Sequence, residues 1–286
     1  MNLPPTPLLE PEDLGDLPRR DIMLVHVAEA AAYHHAHLPG ALLVEPRELL
    51  SGQPPAPGSL PELPRLEALF ARLAYAPDAH IVVYDDEGGG WAGRFIWTLD
   101  IIGHRHWSYL NGGIHAWAAA GRPLERGHAH TPQPTTVSLA VDRQPIAELA
   151  DLLAAMNEPG QVIWDVRSAE EYRGEKSGSR RAGHIPTAVN LDWLQLKDPA
   201  RNLRLTRDLP GLLEAHGISR DKTVITHCQA HHRSGLSYLV ARLLNMTDVR
   251  AYPGAWAEWG SRDDTPVVQG AAPGRAPDHT GNGSGS

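Results

Sequence analysis

Cysteine occurs once in the 286-residue chain, at Cys228, and the residues around it are the ones whose types and spacing suit chemistry. The surrounding run is TVITHCQAHHRSGLSYLVARLL. Residues 223–226 read as a buried strand, and Ser234 onward reads as a helix with Leu236, Leu239, Val240, Leu243 and Leu244 at helical spacing. A thiol at a strand's carboxyl end, facing a helix's amino end, meets free N–H groups of the turn, the helix dipole and the guanidinium of Arg233. All of these favour a thiolate over a thiol, and favour a bound oxyanion equally. His231 and His232 add donors, and positive charge when protonated. A lone cysteine is more often a small buried hydrophobe, but Gln229, Ala230, His231, His232, Arg233 and Ser234 together are too polar for a core.

Spacing separates two chemistries. Cysteine phosphatases place five residues between Cys and Arg, in a loop that wraps a tetrahedral phosphate. Here the four residues Gln229, Ala230, His231 and His232 intervene, so the cradle is smaller. That suits a nucleophile carrying one extra atom, such as a persulfide sulfur, and disfavours phosphoryl transfer without excluding it.

The elements that position this loop occur twice. HLPGA at 37–41 echoes HIPTA at 184–188, IVVYDDEGGGWAGR at 81–94 lies over TVITHCQAHHRSGL at 223–236 without a gap, and LNGGIHAW at 110–117 lies over YPGAWAEW at 252–259. The overlay puts Asp86 at the position of Cys228 and Trp91 at that of Arg233. The first copy thus lacks both nucleophile and clamp, and a carboxylate in its cradle would repel an anionic donor. It is expected to be catalytically silent, packing against the second copy and walling its cleft. A cation loop at Asp85, Asp86 and Glu87 is the lesser reading, because no alternating oxygen ligands follow.

Short apolar strands at 23–27, 81–84, 162–164 and 223–226 alternate with helical stretches at 64–74, 146–156 and 235–244. The expected fold is α/β, with a mostly parallel sheet flanked by helices in each of two domains. Boundaries are expected at 1–130 for the silent domain, 131–144 for a linker rich in His, Pro and Thr, 145–269 for the catalytic domain, and 270–286 for a disordered Gly/Pro/Ser/Ala tail.

VIWDVRSAEEY at 162–172, AGHIPTAVN at 182–190, the Cys228 loop and AYPGAWAEWG at 251–260 resemble the tandem-domain rhodaneses, the thiosulfate and 3-mercaptopyruvate sulfurtransferases. The resemblance covers roughly residues 10–268. It implies two rhodanese-like domains and a persulfide carried by Cys228 inside the loop of Gln229, Ala230, His231, His232, Arg233 and Ser234. CQAHHRS resembles the bacterial thiosulfate-type enzymes and departs from the C-x-S-G-V-T of mercaptopyruvate enzymes. The resemblance therefore implies thiosulfate as donor and cyanide or a thiol as acceptor, with no cofactor and no metal. Mercaptopyruvate as donor, an arsenate-type reductase or phosphatase, and a sulfur carrier that does not turn over are the alternatives. A protein acceptor is compatible with all of the sulfur readings.

Other residues carry weaker expectations. Asp165 and Arg167 read as a structural ion pair or turn cap ahead of a role at the site's rim. Glu171 or Glu175 is expected to hold Arg233 or Arg173, and spacing does not say which. His184 has a counterpart, His37, in the silent copy, so packing is the expected role. Trp256 and Trp259 suit an apolar wall beside the sulfur or the core equally well.

Composition sets limits. With 42% apolar and 21% charged residues the chain is globular. A net charge of −8 argues against nucleic acid as a partner. A single cysteine precludes an intrachain disulfide and fits a reducing, cytoplasmic setting. No apolar run suggests export or a membrane span. The sixteen histidines are scattered and HHAH at 34–37 has no cysteine partner, so no metal is expected. Internal duplication already supplies a domain interface, and a monomer is expected.

Overall fold

In the computed structural model, residues 7–16, 22–128 and 131–275 are described. The first half contains β1 (Leu8–Leu9), α1 (Pro11–Asp16), β2 (Ile22–Val27), α2 (Ala30–His35), β3 (Leu42–Val44), α3 (Leu63–Arg72), β4 (His80–Asp85), α4 (Gly90–Ile101), β5 (Trp107–Leu110) and α5 (Gly113–Ala119). The second contains α6 (Leu149–Ala155), β6 (Gln161–Asp165), α7 (Ala169–Arg173), β7 (Val189–Asn190), the short pair β8 (Lys197–Asp198) and β9 (Arg204–Leu205), α8 (Leu209–Ala215), β10 (Thr223–His227), α9 (Arg233–Leu243), β11 (Val249–Ala251) and α10 (Ala255–Trp259).

Continuous apolar strands with helical crossovers form parallel sheets. The first sheet runs β1-β5-β4-β2-β3 and the second β11-β10-β6-β7, and every pairing within both is parallel. The inner order repeats: β5-β4-β2-β3 in one half, β11-β10-β6-β7 in the other. β4 ends at Asp85 and β10 at His227, positions that the gap-free overlay pairs, so the duplication holds in three dimensions. The echo between HLPGA and HIPTA is also structural. His37 and His184 each share a ring-nitrogen hydrogen bond of 2.8 Å with the carbonyl of a tyrosine, Tyr33 and Tyr172 respectively, and stack on that tyrosine's ring. Both are buried packing residues.

The two halves meet where α4 crosses α9. A Cβ on Gly93 would stand 2.2 Å from the Gly235 carbonyl oxygen, and a Cβ on Gly235 would stand 2.4 Å from the Gly90 oxygen. Backbones this close require glycine at both positions. The helices join one apolar core that draws Phe95, Ile96, Leu236, Leu239 and Val240 from both halves.

Residues 131–144 return along the first half rather than bridging open space. Thr135 N–H donates to the Ala71 carbonyl, Leu139 N–H to Glu67, and Asp142 N–H to the Ile101 carbonyl. The start of the tail expected to be disordered is docked: Gly270 N–H donates to the Arg173 carbonyl and Thr187 N–H to that of Pro273. A docked backbone needs few apolar anchors when its carbonyls find donors. Residues 276–286 of that tail lie outside the described residues.

Candidate active site

Cys228 follows β10 directly and is 1% exposed. Its loop is fixed at both ends. The first free N–H groups of α10, those of Trp256 and Ala257, donate to the carbonyls of Cys228 and Gln229 at 2.9 Å each, using donors that a helix start leaves unpaired. At the far end, Ser234 Oγ donates to Cys228 Sγ at 3.5 Å, and His231 Nδ1 lies 2.7 Å from the same hydroxyl. A hydroxyl donates once, so a serine that donates to sulfur accepts from the Nδ1–H tautomer of His231. Burial, and then the charge of Arg94, hold His231 well below its ordinary pKa, so the imidazole is neutral.

The six loop residues divide by direction. His231 and Ser234 are buried beneath the sulfur. Gln229 Nε2 donates to Ser179 Oγ at 3.0 Å. Ala230 lies against Gly58 of the first half, where a Cβ would come within 2.4 Å of the Ala230 carbonyl oxygen. His232 leaves the loop altogether: it pairs with Glu87, stacks on Trp91 at 4.1 Å between centroids, and meets the edge of Trp193. A side chain on Gly90 would strike both Glu87 and His232. Trp91, which the overlay set at the place of Arg233, is thus a wall for the loop of the other copy. Lys197, over the Trp193 ring at 3.5 Å, donates to the Glu87 carbonyl and completes this contact.

Arg233 opens α9 and makes a two-pronged bond to Glu171, at 2.6 Å and 2.9 Å. Burial works to lower its pKa, but the Glu171 hydrogen bonds and the charge of Cys228 raise it further. Glu175 holds Arg173 instead, at 2.7 Å. Both candidate carboxylates therefore have partners, and Glu171 is the one that supports Arg233. The signal was the Ser168-x-x-Glu171 capping box: Ser168 N–H donates to Glu171 and Glu171 N–H to Ser168 Oγ. The box pins this carboxylate at the start of α7, beside the strand ends that carry the loop.

Asp165 and Arg167 form a fully buried ion pair at 2.6 Å, with Arg167 also bonded to the Gly183 carbonyl and lying over the Trp256 ring. Burial acts to raise Asp165, but Arg167 and then His227 overcome it and bring it down to about 2. Trp256 and Trp259 are core residues, each with its indole N–H on a main-chain carbonyl, Arg181 and Pro266.

The equivalent cradle in the first half is already filled. The carboxylate that fills it is that of Asp85, one residue earlier than the overlay suggested. It accepts N–H bonds from Gly88 at 3.0 Å, Gly89 at 2.8 Å and Ala92 at 3.0 Å. The run Asp-x-x-Gly-Gly carries the sequence signal, because an aspartate readily bonds backbone N–H groups just downstream. Burial, then Glu87, push its carboxyl up to about 6 against the pull of those N–H groups. Among the described residues no cluster of three or more His, Cys, Asp or Glu is arranged to hold a metal. Among them, too, no helix is long and apolar enough to cross a membrane.

Two parallel α/β copies with one thiol at a strand-to-helix loop define a duplicated domain with a single nucleophilic site. The model of the rhodanese-like domain matches residues 10–120 and again 148–262, and the chain belongs to that family. It is 49% identical over 261 residues to the thiosulfate sulfurtransferase of Azotobacter vinelandii, covering 91% of this chain and 96% of that one. It is 31% identical to the 3-mercaptopyruvate sulfurtransferase of Escherichia coli, covering 83% and 85%. The crystal structure of SseA from Escherichia coli, described as a 3-mercaptopyruvate sulfotransferase, superposes with a TM-score of 0.78 at 26% identity, covering 88% of this chain and 99% of that one. The chain is accordingly a sulfurtransferase of the rhodanese type, in which sulfur passes through a cysteine persulfide.

Proposed function

We propose that the protein moves the outer sulfur of thiosulfate to cyanide or a thiol through a persulfide on Cys228. The observation that carries this is the hydroxyl of Ser234 aimed at Cys228 Sγ at 3.5 Å, with the loop carbonyls of Cys228 and Gln229 tied to α10. Residues 145–269 are the catalytic domain, in which the loop formed by Gln229, Ala230, His231, His232, Arg233 and Ser234 carries the substrate-binding role next to Cys228. Residues 1–130 form the silent domain, joined by 131–144. The 49% identity to a thiosulfate sulfurtransferase supports thiosulfate over mercaptopyruvate, and the polar loop supports an anionic donor.

In the first step the Cys228 thiolate attacks the outer sulfur of thiosulfate. An S–S bond forms, the bond to the sulfonate sulfur breaks, and its electron pair leaves with sulfite. Arg233 and the loop N–H groups face the departing charge. In the second step cyanide attacks the terminal sulfur, releasing thiocyanate and restoring the thiolate. A protein thiol is an equally suitable acceptor, and an unpaired cysteine fits the reducing cytoplasm.

Initial rates test this reading. Varying thiosulfate at several cyanide concentrations gives parallel double-reciprocal lines for a two-step exchange; intersecting lines would overturn it. Faster transfer from mercaptopyruvate under the same conditions would reassign the donor and leave the persulfide step intact.

A further inference from the structure

A thiolate that meets a dianionic donor needs positive charge nearby. Most cations around the loop are already matched. Arg233 is clamped to Glu171, His232 is paired with Glu87, and Lys197 lies within reach of Asp85, Glu87 and Asp192. His231 is neutral.

Arg94 is different. It comes from α4 of the first copy and is fully buried. Its hydrogen bonds go to main-chain carbonyls, those of Leu49 at 2.5 Å, Gly58 at 2.7 Å and Ser59 at 3.4 Å. Its Nε has no partner, and its guanidinium lies 4.5 Å from the centre of the Trp97 ring. No ion pair among the described residues includes it. A buried guanidinium without a carboxylate is costly unless an anion stands close by.

The packing brings Arg94 to the sulfur loop from two sides. A Cβ on Gly235, in the first turn of α9, would stand 2.5 Å from the Arg94 backbone nitrogen. Gly58, whose carbonyl Arg94 holds, presses on Ala230. Arg94 thus has its backbone against Gly235 in the first turn of α9 and its guanidinium on the Gly58 carbonyl, next to Ala230 of the loop. Burial lowers its pKa to about 9 and Cys228 acts to raise it, so the group is still a cation at neutral pH.

We propose that Arg94, supplied by the silent copy, is the counter-cation of the Cys228 thiolate and of the persulfide anion that replaces it. The inference rests on the sulfur-transfer reading for its purpose, but the charge itself is testable without any sulfur donor. Sulfur loading exchanges one anion on Cys228 for another, so a single fixed cation serves both states. Arg94 acts through its field, as a positioning residue, and the active site is incomplete without the first copy.

The full chain has one thiol, so alkylation reports on Cys228 alone. The ratio of its rate with anionic iodoacetate to its rate with neutral iodoacetamide reads local charge, independently of access. Arg94→Gln is expected to lower this ratio about tenfold. Arg94→Lys, which keeps the charge and loses the forked bonds to Leu49 and Gly58, is expected to hold it within about threefold of wild type. A ratio unchanged in Arg94→Gln, or as low in Arg94→Lys as in Arg94→Gln, overturns the proposal. Should Arg94→Gln fail to fold, the paired variant Arg233→Gln/Glu171→Gln decides, because it removes the clamp without leaving its carboxylate unpaired, and Arg94 is then the remaining cation near the loop without a carboxylate partner. Its ratio is expected to stay above that of 2-mercaptoethanol measured alongside, and a ratio equal to that free thiol's overturns the proposal. Normal alkylation ratios in a protein that takes up no sulfur would instead remove the proposed function and leave the charge assignment standing.

Discussion

The sulfur of Cys228 is oriented by a hydroxyl that is itself oriented by a neutral imidazole, so geometry passes from His231 through Ser234 to the nucleophile. A neutral hydrogen bond of this kind contributes about 1 kcal/mol. Ser234→Ala is therefore expected to slow sulfur loading about fivefold, read by stopped-flow release of sulfite, with the alkylation ratio of Cys228 unchanged. Glu171→Ala should do more. It strips two bonds from a half-buried guanidinium, costs about 1–3 kcal/mol in stability, and lets Arg233 swing from the loop. A denaturant midpoint equal to wild type would show that the pair is not the anchor described. Spacing alone made Cys228 and Arg233 legible, since both lie within one loop of a recognisable strand and helix. It left Glu171 and Glu175 undivided because both reach the loop only through tertiary packing, Glu171 lying 62 residues from Arg233 along the chain, and only the capping box separates them.

At the level of elements, the crossing of α4 on α9 is what joins the silent copy to the chemistry. Gly93→Ala would place a methyl 2.2 Å from the Gly235 oxygen, and overpacking of this type costs about 1–3 kcal/mol or more. The expected result is a lower midpoint in urea together with weaker transfer activity, because Trp91 and Arg94 ride on α4 next to the loop. Loss of stability with full activity in the folded fraction would argue that the interface is only a scaffold. The parallel sheets and the duplication were legible because strand, loop and helix recur with no gap between residues 81–94 and 223–236, whereas the strand order emerges only in the fold. Arg94 was not legible either. The overlay sets it opposite Leu236, a core position, and nothing in the linear sequence announces that a helix from one copy buries a cation against the segment that packs on the sulfur loop of the other. Asp85 was missed for a related reason: the overlay pairs residues by position along the chain, whereas the cradle is filled by a side chain reaching forward from the end of β4.

Across the whole molecule, buried histidines set the response to acid. Burial lowers His26 to about 3 and His80 to about 4, and it lowers His104, His184, His227 and His231 as well. The unfolded chain binds protons at these groups from about pH 6.5, before the folded chain does. Their stabilisation is thus complete above that pH and is lost on the way down to about pH 3. His26 alone is worth roughly 5 kcal/mol across this window, at about 1.4 kcal/mol for each pKa unit. Asp165, low in the folded state, adds to the loss below about pH 4; Asp85, raised to about 6, works the other way as pH climbs from 4 to 6. Six histidines outweigh one aspartate, and unfolding by acid is expected to begin below pH 6. Neither ring nitrogen of His26 has a partner, and the ring stacks on Tyr84 at 4.3 Å. His26→Phe should therefore lower the acid midpoint followed by circular dichroism without loss of stability at pH 7.5. An unmoved midpoint would assign the acid lability elsewhere.

The persulfide on Cys228 is the claim from which the rest follows, and intact mass of the full chain tests it most directly. Incubation with thiosulfate is expected to add the mass of one sulfur to wild type and nothing to Cys228→Ala, and cyanide should then remove that sulfur as an equivalent of thiocyanate. Thiocyanate formed at the wild-type rate with no sulfur ever found on the protein, or by Cys228→Ala, would contradict the account.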